Sequence, residues 1–95
     1  MKLKSIHIPS SVNSVGEGAF EDCELLSSVE LPLFMMEIKS KTFSNCCTMK
    51  VIIIPESVNI IRYKAFEWCE SLTQVLLLEN SVKEIEGYAF ITVSL

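Results

Sequence analysis

Ile8-Pro9-Ser10-Ser11-Val12-Asn13-Ser14-Val15-Gly16-Glu17-Gly18-Ala19-Phe20-Glu21-Asp22-Cys23 returns later in the chain as Ile54-Pro55-Glu56-Ser57-Val58-Asn59-Ile60-Ile61-Arg62-Tyr63-Lys64-Ala65-Phe66-Glu67-Trp68-Cys69. Between them lies a third version, because Pro9, Pro32 and Pro55 are 23 apart, and so are Phe20, Phe43 and Phe66. Cys23, Cys46 and Cys69 keep the same step. So do Leu3, Leu26, Met49 and Leu72, then Ile6, Val29, Ile52 and Val75, and Ile8, Leu31, Ile54 and Leu77. A fourth copy continues the phenylalanine column at Phe90 and carries one extra residue between Val75 and Val82, with Val93 in the cysteine column. The 95 residues therefore divide into about four copies, 1–25, 26–48, 49–71 and 72–95, forming one domain. Repeats must be settled before single elements, since they decide the whole architecture.

Within a copy, Ser5-Ile6-His7-Ile8 alternates polar and apolar residues with β-branching, which predicts a half-buried strand closed by proline. From Val12 to Cys23 the apolar residues fall at 12, 15, 19, 20 and 23, a three-and-four spacing that predicts a short extended piece and then one helical or 3₁₀ turn. No copy buries its apolar side alone. Stacking does so, with parallel strands about 4.8 Å apart, and then Ile6, Val29, Ile52 and Val75 form one core ladder and Phe20, Phe43, Phe66 and Phe90 another. The predicted class is a β-dominated α/β repeat solenoid.

The joint pattern Pro-Ser-x-Val, Ala-Phe and Phe-x-x-Cys resembles the BspA-like leucine-rich repeats, whose copies fall in the range of about 20 to 29 residues. The likeness runs from Leu3 to Phe90 and is strongest in copies one and three. It implies a right-handed leucine-rich-repeat superhelix, with a short parallel sheet on the concave face and turns or short helical segments on the convex side. It also implies protein recognition, as in bacterial surface adhesins and expanded protist families, and no enzyme activity. Copy two departs from it with Pro32-Leu33-Phe34-Met35, and Thr42 stands where the other copies have alanine. Gly16 is matched by Lys39, Arg62 and Glu86, so a left-handed backbone there is dispensable or strained in later copies.

Composition narrows the function. Hydrophobic residues make up 49% of the chain, and twelve acids against eight bases give a net charge of −4, which leaves no basic stripe for nucleic acid. The longest apolar runs, Val51 to Ile54 and Val75 to Leu78 among them, are far short of the roughly 20 residues that span a bilayer, so membrane insertion is not expected. Two lysines at the N-terminus lack an apolar run behind them, hence no signal peptide is recognised. A cell-surface location follows from the resemblance, a cytoplasmic one from the missing signal.

Four cysteines and one histidine invite metal or disulfide readings. Three of the thiols share one core column, where a thiol acts as a small hydrophobe. Cys47 lies outside it and is the candidate for oxidative crosslinking. No Cys-x-x-Cys pair occurs, so neither zinc nor any other cofactor is expected. His7 faces the open side of the sheet with Glu30 as its column neighbour, a surface pair lacking any nucleophile. Glu17, Glu21, Asp22 and Glu24 read as a solvated face, and no calcium loop is visible.

The open sheet face carries two columns: Ser5, Ser28, Val51 and Gln74, then His7, Glu30, Ile53 and Leu76. Val51, Ile53 and Leu76 predict an exposed apolar patch, which marks either a contact surface or a site covered by flanking copies or another chain. Leu33, Phe34 and Met36 project from one turn, and Trp68 and Tyr63 are off-column aromatics suited to interfaces. Candidate partner-binding residues are thus His7, Glu30, Val51, Ile53, Gln74, Leu76, Phe34 and Trp68. No capping copy is evident at either end, so a homo-oligomer or a piece of a longer array is expected. Two functions follow: a protein-binding adhesin module, or a scaffold that assembles with itself.

Overall fold

Alternation of side chains along each strand accounts for the register of the stack. The computed structural model describes residues 4–77 and 82–90. Its strands are β1 (Ser5–His7), β2 (Ser28–Glu30), β3 (Glu37–Ile38), β4 (Val51–Ile54), β5 (Ile60–Ile61), β6 (Gln74–Leu77) and β7 (Glu84–Ile85). All pairings are parallel: β1 with β2, β4 with β6, and β3 with β5 and then β7. Register follows the repeat, with Ile6 opposite Val29 and Ile52 opposite Val75. The extended piece expected after each proline is present as β3, β5 and β7.

Because successive residues point to opposite faces, Ile52 and Ile54 turn inward and Val51 and Ile53 outward. Val29, Leu26, Met49, Leu72, Ile38 and Ile61 fill the core between the strands and the turns. The aromatic column is a continuous stack. Ring centroids are 5.7 Å apart for Phe20 and Phe43, 5.4 Å for Phe43 and Phe66, and 5.1 Å for Phe66 and Phe90, with interplanar angles of 7°, 14° and 3°. Thr42 is tolerated in its alanine column because its hydroxyl donates to the Lys39 carbonyl at 2.7 Å. The Val93 position, the Leu3 column start and most of the extra-residue segment lie outside the described residues.

The expected helical turn is not formed. No helix occurs among the described residues, and the segment after each short strand runs as consecutive turns. Its amides alternate in direction. Ala19, Glu21 and Cys23 donate locally to Gly16, Gly18 and Phe20, while Gly18, Phe20 and Asp22 donate to Ser40, Thr42 and Ser44 of the next copy. A helix would send every amide to its own chain four residues back; here every second one joins the neighbouring copy.

Left-handed residues maintain this alternation, and they are not at the Gly16 column. Positive φ occurs at Gly18, Lys41, Lys64 and Tyr88, one column, and at Asp22, Asn45 and Trp68, a second. Gly16 has an ordinary φ and open space around it. A left-handed conformation costs a side-chain-bearing residue about 1–2 kcal/mol, part of which glycine loses again to unfolded-state entropy. Lys41→Gly is therefore expected to raise stability by up to about 1 kcal/mol. Gly18→Ala is expected to lower it by a similar amount, since its Cβ would also stand 3.3 Å from Glu21 Oε1. Urea denaturation of both variants checks the pair.

The sheet on the open face is split. β2 and β4 lie side by side, yet they belong to separate ladders. Across this seam the copies are joined instead by β3 with β5 and by the turns, where Phe43 and Asn45 donate to Ala65 and Glu67.

Candidate functional site

The open face has two halves of different chemistry. On β1 and β2, Ser5 lies opposite Ser28 and His7 opposite Glu30, with His7 Nδ1 3.3 Å from Glu30 Oε2 in an exposed pair. On β4 and β6, Val51 lies opposite Gln74 and Ile53 opposite Leu76. Ile53 is 49% exposed and Leu76 44%. The unbroken apolar run Val51 to Ile54 causes this, because alternation allows only half of its side chains into the core.

At the seam between the halves lies a mainly apolar cleft of about 170 Å³, lined by Val29, Glu30, Leu31, Leu33, Ile53 and Pro55. Ile53 thus belongs both to the flat patch and to the cleft wall. Leu33 and Phe34, in the turn after β2, are 58% and 66% exposed, so this turn projects beside the cleft instead of packing inward. The structure gathers His7, Glu30, Val51, Ile53, Gln74 and Leu76 on one face, with Phe34 in the turn that adjoins it. Trp68 is elsewhere, among the stacked turns. Sequence reading missed Leu33 and Pro55 as cleft residues. The available signal was Leu33 in a column that holds serine in copy one and glutamate in copy three.

Charge on the remaining surface is used for cohesion. Arg62 reaches back to Glu37, with Nε 3.2 Å from Oε1, and forward to Glu86, with Nη1 3.0 Å from Oε2, linking three copies. These carboxylates hold its guanidinium charged. Glu86 is held below the usual carboxylate range, first by the Tyr63 backbone N–H it accepts at 2.9 Å and then by Arg62. Tyr63 meets Tyr88 edge-on with centroids 5.8 Å apart, and Lys64 Nζ sits 5.1 Å above the Tyr63 ring.

None of the four cysteines is in a disulfide. The thiols of Cys46 and Cys69 donate to the Phe20 and Phe43 carbonyls at 3.3 and 3.1 Å. Burial pushes both up to about 12 and raises Cys23 as well. Such thiols are not nucleophiles near neutral pH, for the thiolate is the reactive form. Among the described residues no group of three or more His, Cys, Asp or Glu side chains is placed to hold a metal ion. No described helix is long and apolar enough to cross a membrane.

Among curated proteins no relative matches the chain. Two solved structures are similar to it. A leucine-rich cell surface protein from Faecalibacterium prausnitzii is 36% identical with a TM-score of 0.90, over 95% of this chain and 24% of that one. A leucine-rich repeat protein from Bacteroides ovatus is 32% identical with a TM-score of 0.70, over 90% of this chain and 25% of that one. The chain thus spans about a quarter of the length of either. The profile of the BspA type leucine-rich repeat region (6 copies) matches residues 1–95. Parallel in-register strands, a stacked phenylalanine column and turns that bond from copy to copy accord with that match, and the chain belongs to the BspA-type leucine-rich repeat family.

Proposed function

We propose that this chain is a non-catalytic protein-binding module that takes its partner on the open sheet face. One observation carries the reading: Val51, Ile53 and Leu76 form an exposed apolar patch that runs into the seam cleft beside Leu33. Contiguous apolar surface of this kind marks a contact site, and the polar His7 and Glu30 half gives it an asymmetric rim. The similar F. prausnitzii protein is described as a cell surface protein, which supports an adhesin-like role at the cell surface. Parallel pairing of one copy with the next supports a solenoid, and the right-handedness of parallel strand crossovers supports its hand.

A second reading, self-association, is favoured by Leu77 and Ile85. Both occupy core columns yet are 46% and 53% exposed in the fourth copy, where a further repeat or a second copy of the chain would cover them.

Panning a random peptide library on the purified chain tests the first reading. Burying an aliphatic side chain contributes about 1.5–3 kcal/mol, so the selected peptides are expected to be apolar and to bind the double variant Ile53→Glu, Leu76→Glu at least tenfold more weakly. Peptides that bind this variant as well as the parent would refute the sheet face as the site. Light scattering of the same samples on dilution separates the second reading: a persistent dimer would place these surfaces in self-association.

A further inference from the structure

A second hollow lies away from the sheet face, among the stacked turns. Two adjacent positions in three successive copies build it: Glu21, Ser44 and Glu67 form one column, and Asp22, Asn45 and Trp68 the next. The short Ser44 between two glutamates leaves an open notch of about 430 Å³. Ser44 is itself only 4% exposed, and its hydroxyl, which lines the notch, has no hydrogen-bond partner among the described residues. That hydroxyl opens into the notch and offers its floor a free donor and acceptor.

The rim is rich in acceptors and poor in cations. Lys64 Nζ lies 3.5 Å from Glu67 Oε2, but neither Glu21 nor Asp22 has an ion-pair partner among the described residues. Three carboxylates and one ammonium leave the notch with a formal charge of −2. Asn45 Nδ2 donates to Asp22 Oδ1 at 3.1 Å, which orients that carboxylate without neutralising it. At one side stands Trp68, 48% exposed. The flanking glutamates are two copy spacings apart, about 10 Å at the strand repeat.

We propose that this notch binds an arginine side chain of a protein partner. A guanidinium is planar, stacks on an indole face, and presents five donors in a fixed fork. It can donate to a carboxylate and to the Ser44 hydroxyl together, which a lysine ammonium, a compact point charge, does less well. The site is separate from the sheet face and does not depend on it.

Trp68 is the chain's single tryptophan, so its fluorescence reports the notch alone. The probe is the tripeptide Gly-Arg-Gly, with Gly-citrulline-Gly as its uncharged isostere and methyl glucoside as a sugar. The expected result is a saturable change with the arginine peptide at millimolar concentration, weakened by raising NaCl from 50 to 500 mM, and absent with the other two. Each unpaired carboxylate at about 4 Å in water is worth roughly a factor of five, so Glu21→Gln with Asp22→Asn should weaken binding about 25-fold. Asparagine tolerates the left-handed backbone at position 22, and unchanged thermal unfolding confirms that the variant is folded. Ser44→Leu fills the notch while leaving every carboxylate and should abolish the change. No saturation with Gly-Arg-Gly, an equal response to the citrulline peptide, or a response to methyl glucoside in its place would each overturn the proposal.

Discussion

Phe43→Ala is expected to destabilise the chain by about 3–5 kcal/mol, the range for emptying a buried phenylalanine site. Phe43 is fully buried and stacks on both neighbours, Phe20 at 5.7 Å and Phe66 at 5.4 Å. Its removal therefore loses transfer free energy, opens a cavity and breaks two aromatic contacts at once. Phe20 is only partly buried and makes a single such contact, so Phe20→Ala should cost clearly less. In a stack where each copy touches only its neighbours, a central defect also uncouples the two sides. Urea denaturation of both variants measures the difference. Equal costs for the two would show that the column does not act as a continuous stack.

The second large effect is alkaline. Cys46 and Cys69 are acids whose folded-state values are pushed from 9.0 to about 12 by burial. The unfolded chain therefore releases these protons first as pH rises, and the stability they provide is whole below pH 9 and is lost between 9 and 12. A shift of about three units corresponds to roughly 4 kcal/mol for each thiol at the upper end. Stability is therefore expected to fall steeply through this window at room temperature. Cys46→Val with Cys69→Val removes these two titrations, leaving only the raised Cys23 in the column, and should leave stability flatter above pH 9, which separates the thiols from the lysines and tyrosines that titrate alongside. The same burial predicts thiol chemistry at pH 8. Cys47, half-buried, should react with an aromatic disulfide reagent in the native state, and Cys23, Cys46 and Cys69 only on unfolding. Equal rates for all four would contradict the burial of the column.

The strand ladders, the phenylalanine stack and the buried thiols were legible because each is a single column that repeats every 23 residues. A side chain that recurs at one place in every copy has one environment, and composition names it. The turns were misread for a physical reason. Apolar residues at 12, 15, 19, 20 and 23 suit a helix, but consecutive turns place them on one side as well. What distinguishes the two is the sign of φ at Gly18 and Asp22, and only Gly18 announces itself; Lys41, Lys64 and Trp68 hold the same conformation in residues that do not advertise it. The apolar patch could be read from Val51 to Ile54 by alternation alone. The cleft could not, because it depends on how far β2 stands from β4, and that distance is a property of two copies together. Ser44 shows the reverse case: its two glutamate neighbours in the column were visible in the sequence, yet a small residue between large ones becomes a notch only once stacking sets them side by side.

The divided sheet has a mechanical consequence. A stack of repeats under tension yields where the fewest bonds must break together, and β2 against β4 is a place where one edge of the stack carries no ladder while the opposite edge, β3 with β5, remains bonded. Load along the stacking axis would open that edge and turn the bonded edge into a hinge. The half bearing His7 and Glu30 would then tilt away from the half bearing Ile53 and Leu76, so that pulling on the stack alters the shape of the open face before any copy unravels.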